Sequence, residues 1–228
     1  IVEPDLPRGV TYAVMRPWRP VQDTIAYNQG IMTDSLAQAI INRRLETRAR
    51  AGGNFLFAQV NQEKVSRSAD ATFVSVTPLD ENWAKSLQEV RGVIADALAT
   101  PPSEDEIERE VAEFNVAFES SVEQRRLLAG AKLADDMVTA LDIRETIASP
   151  ETVLQIFNSS RQLFTPAAVL DATRRLFKGT VTRAVYVTPQ AGEAQAASLA
   201  AAPPCLPGPV LPPLPPAVPA SATTIRTS

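Results

Sequence analysis

Leu36-Ala-Gln-Ala-Ile-Ile-Asn-Arg-Arg-Leu45 runs on through Arg50-Ala-Gly-Gly53 into Asn54-Phe-Leu-Phe-Ala-Gln-Val60, and the reading of this stretch decides the fold. Leu36, Ile40, Ile41 and Leu45 recur at three- and four-residue steps, which places them on one face of a helix. Arg43, Arg44, Arg48 and Arg50 crowd its end, where cations oppose the negative pole of the helix dipole. Gly52 and Gly53 supply the permissive backbone that stops a helix. Phe55, Leu56, Phe57 and Val60 then suit a half-buried strand, with Phe57 expected on its apolar side. The stretch reads as helix, tight reversal and strand.

Working outward, Val10-Thr-Tyr-Ala-Val-Met15 reads as a first strand, ended by Pro17 and Pro20. Asp23 is the expected cap of the long helix, with a kink or break expected at Gly30. The strand from Phe55 to about Ser66 turns polar at Asn61, Gln62, Glu63 and Lys64, as an edge strand does, and pairs as a hairpin with Ala71-Thr-Phe-Val-Ser-Val76. Asp80 is the expected cap of a helix striped by Trp83, Leu87, Val90, Ile94 and Leu98. Ser103 and Glu106 form a capping box before Ile107, Val111, Phe114 and Phe118. Leu127, Leu128, Leu133, Met137, Val138 and Leu141 continue helically. Ser149-Pro150 and Thr165-Pro166 each open a further helix. Gly179 ends the last, and Thr180-Val-Thr-Arg-Ala-Val-Tyr-Val187 is the final strand. The order predicts an α+β domain, with helices packed on one face of a mainly antiparallel sheet.

Composition narrows the function. The 228 residues are 45% hydrophobic, enough to bury a real core. A net charge of −4 argues against nucleic-acid binding, and no apolar run reaches the length of a membrane span. The chain opens Ile1-Val-Glu-Pro4 without Met, as expected of a processed chain or a fragment. The lone Cys205 leaves the redox compartment open. There is no histidine, so neither a Ser-His-Asp nor a Cys-His arrangement can be built. Glu106 with Glu110, and Asp135 beside Asp136, read as solvated helix faces; the loop spacing of a carboxylate cation site is missing. Gly52-Gly53 lacks the Lys-Ser/Thr of a phosphate loop.

Arg44-Leu45, Arg50 in the loop, a Gly, and the aromatic Phe57 seven residues beyond Arg50 resemble a segment of the pitrilysin/insulinase family of zinc peptidases (the M16 family). Pro102-Ser-Glu-Asp-Glu-Ile107, and the run from Thr165-Pro166 through Gly179 to Thr188-Pro189, extend the resemblance over about Val10 to Pro189. The family cleaves peptides with a His-x-x-Glu-His zinc domain, in a clamshell of two halves, each built from two related domains, of which the first holds the zinc. By resemblance this chain is the second, non-catalytic domain: residues 1–189, carrying no catalytic residue and no metal ligand. Zinc would sit in a separate catalytic domain, in the same polypeptide or a partner subunit. The family also includes stand-alone subunits that lost the zinc motif and kept a binding or assembly role, which is the alternative.

Where the family uses an Arg/Tyr pair, the Tyr donates a hydrogen bond to substrate. Phe57 cannot donate one. Arg50 and Arg44 are therefore the candidate contacts to a peptide substrate. Residues 190–228, rich in Ala and Pro, are expected to be a disordered tail or a linker between two homologous halves. Within them Leu211-Pro-Pro-Leu-Pro-Pro216 carries PxxP spacing that an aromatic groove recognises. The working expectation for location is the periplasm or cell envelope.

Overall fold

The computed structural model describes residues 1–127, 130–143, 145–190 and 199. Strand β1 (Gly9–Pro17) leads to the long helix α1 (Ile25–Arg50) and the hairpin β2 (Phe55–Val65) and β3 (Ala69–Pro78). Helices α2 (Trp83–Ala99), α3 (Glu104–Gln124), α4 (Gly130–Ile143), α5 (Pro150–Ser160) and α6 (Pro166–Leu176) follow, and β4 (Val181–Val187) closes the order. The four strands pair antiparallel in the order β2-β3-β1-β4. This is the α+β architecture expected from the sequence.

Alternation decides which face is covered. Val10, Tyr12 and Val14 on β1, Val74 and Val76 on β3, and Val60 on β2 are buried and belong to one core with the helices. Leu36, Ile40, Ile41 and Leu45 bring α1 onto that face, joined by Val90 and Ile94 of α2 and Val169 and Leu176 of α6. Phe118 of α3 meets Phe157 of α5 at 5.0 Å between ring centres, which ties these helices to each other. Arg16 of β1 donates to the carbonyl of Leu176 at 2.9 Å, satisfying the end of α6. Thr72 of β3 donates to the same carbonyl at 2.6 Å.

Four local expectations change. Thr24, rather than Asp23, caps α1, and Asp23 instead accepts from the Thr146 amide and the Asn28 side chain. Asn82, rather than Asp80, caps α2; Asp80 accepts from the Asn82 amide. The helix passes through Gly30 unbroken, carried by the buried stripe that follows it at Leu36, Ile40, Ile41 and Leu45. Phe57 is 53% exposed, whereas Phe55 is buried at 2%. The β2–β3 register shifts between Phe55 and Phe57, so Leu56 and Phe57 both face outward. Leu128 and the Pro-rich segment lie outside the described residues; Leu199 is partly buried against the core.

Candidate functional site

The arginine-rich end of α1 and the turn beyond it carry the residues that the sequence marks as binding candidates. The turn is closed by backbone bonds. Gly53 N–H donates to the Arg48 carbonyl at 3.1 Å and Gly52 N–H to the Ala49 carbonyl at 3.2 Å. That pair of bonds, with Gly52 at φ 86°, is a Schellman ending, and it requires a left-handed residue at Gly52.

The four arginines then part company. Arg43 reaches α3, pairing with the buried Glu110 and with Glu113 at 2.5 Å. Arg44 grips Glu106 in a fork, Nε to Oε1 at 2.8 Å and Nη2 to Oε2 at 3.0 Å, with Asp96 at 3.4 Å. Glu106 is also the capping-box residue of α3, accepting from the Ser103 amide at 2.9 Å. One carboxylate thus caps α3 and docks it on α1. The Glu106 bond holds the Arg44 guanidinium further up its already high range, against the effect of burial.

Arg48 pairs with Glu89 of α2, whose carboxylate is buried and also accepts from the Asn54 amide at 2.7 Å and side chain at 2.6 Å. Burial pushes the Glu89 carboxyl up, but the bonds from Asn54 and Arg48 outweigh it and hold the group below its ordinary range.

Arg50 alone of the four extends into solvent, with its side chain 78% exposed beside Glu46 at 2.6 Å. Of the two candidates, Arg44 is committed to Glu106 in the interior of the helix packing, and Arg50 makes an exposed pair with Glu46 on its own helix. Beyond the glycine turn, Leu56 and Phe57 add an exposed apolar pair. The Glu89–Arg48–Asn54 cluster is absent from the expectations read from sequence. Its one signal was an acidic residue beside Val90 on the buried stripe of α2.

A guanidinium donates hydrogen bonds to carbonyls or carboxylates and gives up no proton near neutral pH. Among the described residues no cluster of three or more His, Cys, Asp or Glu side chains is arranged to hold a metal ion. A zinc of the kind used by the resembled family does not fit the side chains present, since the chain offers no imidazole donor at all. No helix of the described residues is long and apolar enough to cross a membrane.

No protein-family model matches the chain, and no curated protein matches it in sequence. Solved structures do match in shape. The first half of the periplasmic protease PqqL from Escherichia coli superposes with a TM-score of 0.73 at 16% identity, covering 84% of this chain and 42% of that one. A predicted insulinase family protease from Yersinia pestis gives 0.70 at 14% identity, covering 85% and 42%. A peptidase M16 inactive domain from Pseudomonas fluorescens gives 0.56 at 14% identity, covering 83% and 43%. The chain spans under half the length of each of these neighbours and shares the fold of their domains.

Proposed function

We propose that this chain is a non-catalytic wall domain of a pitrilysin/insulinase-type zinc metallopeptidase. Its role is to help enclose a peptide while hydrolysis proceeds in a zinc-bearing domain elsewhere. The observation that carries the reading is the conjunction of a protease-domain fold with a sequence that contains no histidine. The inactive-domain neighbour from Pseudomonas fluorescens supports it. The arginines of α1 support it too, because most are spent on ion pairs that brace α1 against α2 and α3. Arg50, with Phe57 and Leu56 beside the turn, is the surface assigned to peptide contact. The partner is the catalytic zinc domain, in the same polypeptide or in a second subunit. The periplasm or cell envelope is the compartment assigned, in keeping with the periplasmic Escherichia coli neighbour.

The test joins two measurements. Metal analysis and a peptidase assay of the isolated chain should find neither stoichiometric zinc nor cleavage. Affinity purification from the source cell should recover a His-x-x-Glu-His domain, as part of the same polypeptide or as a co-purifying subunit. Tight zinc with chelator-sensitive cleavage in the isolated chain would overturn the reading. Recovery of the chain with no zinc-bearing partner would replace it by the stand-alone assembly subunit.

A further inference from the structure

Helix α4 is attached to the domain in a way unlike any other helix described here. None of the described side chains from 130 to 149 is buried. Leu133, Met137 and Leu141 recur at four-residue steps along α4 and all remain exposed, Leu141 at 66%. The apolar face that holds α1, α2 and α6 to the sheet thus plays no such part for α4.

What ties it down is polar and sits at one end. From the tip of the β2–β3 hairpin, Arg67 Nε donates to the Asp142 carbonyl at 2.6 Å, and Arg67 Nη2 lies 3.6 Å from the Asp142 carboxylate. A cation at the carboxyl end of a helix also opposes the helix dipole. Lys64, on the same hairpin, pairs with Glu145. Tyr27 of α1 donates to Glu145 at 3.3 Å and accepts from Lys64 at 2.9 Å. Asp23 accepts from the Thr146 amide.

We propose that α4, with Glu145 and Thr146, forms an arm, latched to the body of the domain by Lys64 and Arg67. Opening the latch frees the arm without unfolding the core, and the latch sets where the apolar stripe Leu133, Met137, Leu141 is presented. Such a unit opens locally, at a free energy below that of global unfolding. Two of its ties, Lys64–Glu145 and Arg67–Asp142, are charge pairs, and these weaken as salt screens them.

The test is hydrogen exchange on the full chain, read segment by segment by mass spectrometry. The variant is Lys64→Met with Arg67→Met, which keeps the side-chain stems and leaves the arm's own sequence and intrinsic exchange rates unaltered. Exchange across 130–143 is expected to quicken about tenfold or more, the size set by losing charged hydrogen bonds, while β1, β3 and α1 keep wild-type protection. Glu145→Ala should act in the same direction, as should added salt on the wild type. The latch is overturned if α4 exchanges in the variants as it does in the wild type. It is equally overturned if the sheet loosens in step with α4 in every variant, since the contacts would then belong to the global fold.

Discussion

Glu89 of α2 accepts a hydrogen bond from the backbone amide of Asn54 at 2.7 Å. A helix that comes later in the chain thereby closes the turn between α1 and β2. The same carboxylate takes the Arg48 guanidinium and the Asn54 side chain, so one buried group serves three donors. Removing it leaves a partly buried cation and two N–H donors without their shared acceptor. Glu89→Ala should cost about 3–5 kcal/mol, the range for breaking a buried pair by deleting one partner. Urea unfolding of the variant against wild type checks this; a loss under about 1 kcal/mol would show that water replaces the carboxylate freely.

The same bonds set a direction for pH. Glu89 and Glu106 are held below the ordinary glutamate value of 4.5, in each case despite burial, by bonds from Asn54 and Arg48 and from Arg44 and Ser103. A carboxyl whose value falls on folding stabilises the fold fully above its unfolded value and loses that contribution as pH drops through the folded one. Asp34 runs the other way: burial raises it above 3.8 despite Arg175, so it relieves the fold on protonation. Asp23 and Glu151 are lowered as well, so the lowered carboxyls outnumber the raised one. Unfolding free energy should therefore be flat above about pH 5 and fall below it, and Glu89→Gln should flatten that fall. An undiminished acid dependence in Glu89→Gln would assign it to other carboxyls.

The fold was legible where a periodicity ran long enough to leave one solution. Leu36, Ile40, Ile41 and Leu45 could face only a core, and Ser103 with Glu106 forms the capping box that its spacing announces. What stayed hidden needed knowledge of another element. Asp23 has the chemistry of a cap, yet it is drawn away by Thr146, 123 residues along the chain. Arg44 and Arg50 look alike in sequence, and only the placement of α3 spends one on Glu106 and leaves the other in solvent. Phe57 departs from simple alternation because the β2–β3 register shifts between it and Phe55.

That shift makes the two phenylalanines of β2 distinguishable. Phe55→Ala should destabilise the domain by about 3–5 kcal/mol, as core Phe→Ala changes do. Phe57→Ala should cost under about 1 kcal/mol, and Phe57→Tyr should be close to neutral because its hydroxyl would meet water. Thermal unfolding of the three variants decides it. Equal losses at 55 and 57 would mean that both rings are covered in solution.

Gly179 lies between the end of α6 at Leu176 and the start of β4, where the chain passes close to β1. A Cβ there would stand 2.4 Å from Val14 Cγ1 and 2.8 Å from the Met15 carbonyl oxygen. The second of these atoms is backbone and cannot rotate aside. Gly179→Ala should therefore destabilise by about 1–3 kcal/mol, the usual penalty of forced overpacking. A denaturation midpoint unchanged from wild type would show that β1 and the turn separate at little cost.

Arg44 and Arg50 together separate bracing from binding. Arg44→Ala removes both arms of the fork to Glu106 and frees the α3 capping residue, so it should cost about 2 kcal/mol, in the range for charged hydrogen bonds. Arg50→Ala loses only an exposed pair with Glu46 and should change stability by well under about 1 kcal/mol. In the intact peptidase the order reverses. Arg50→Ala should raise KM for peptide with kcat kept, the signature of a contact made equally to substrate and transition state. Arg44→Ala should lower the amount of folded enzyme and leave the KM of what remains. Unfolding curves and steady-state kinetics on the same preparations distinguish the two. A steep fall in kcat for Arg50→Ala at unchanged stability would place that guanidinium in the chemical step and overturn the wall-domain reading.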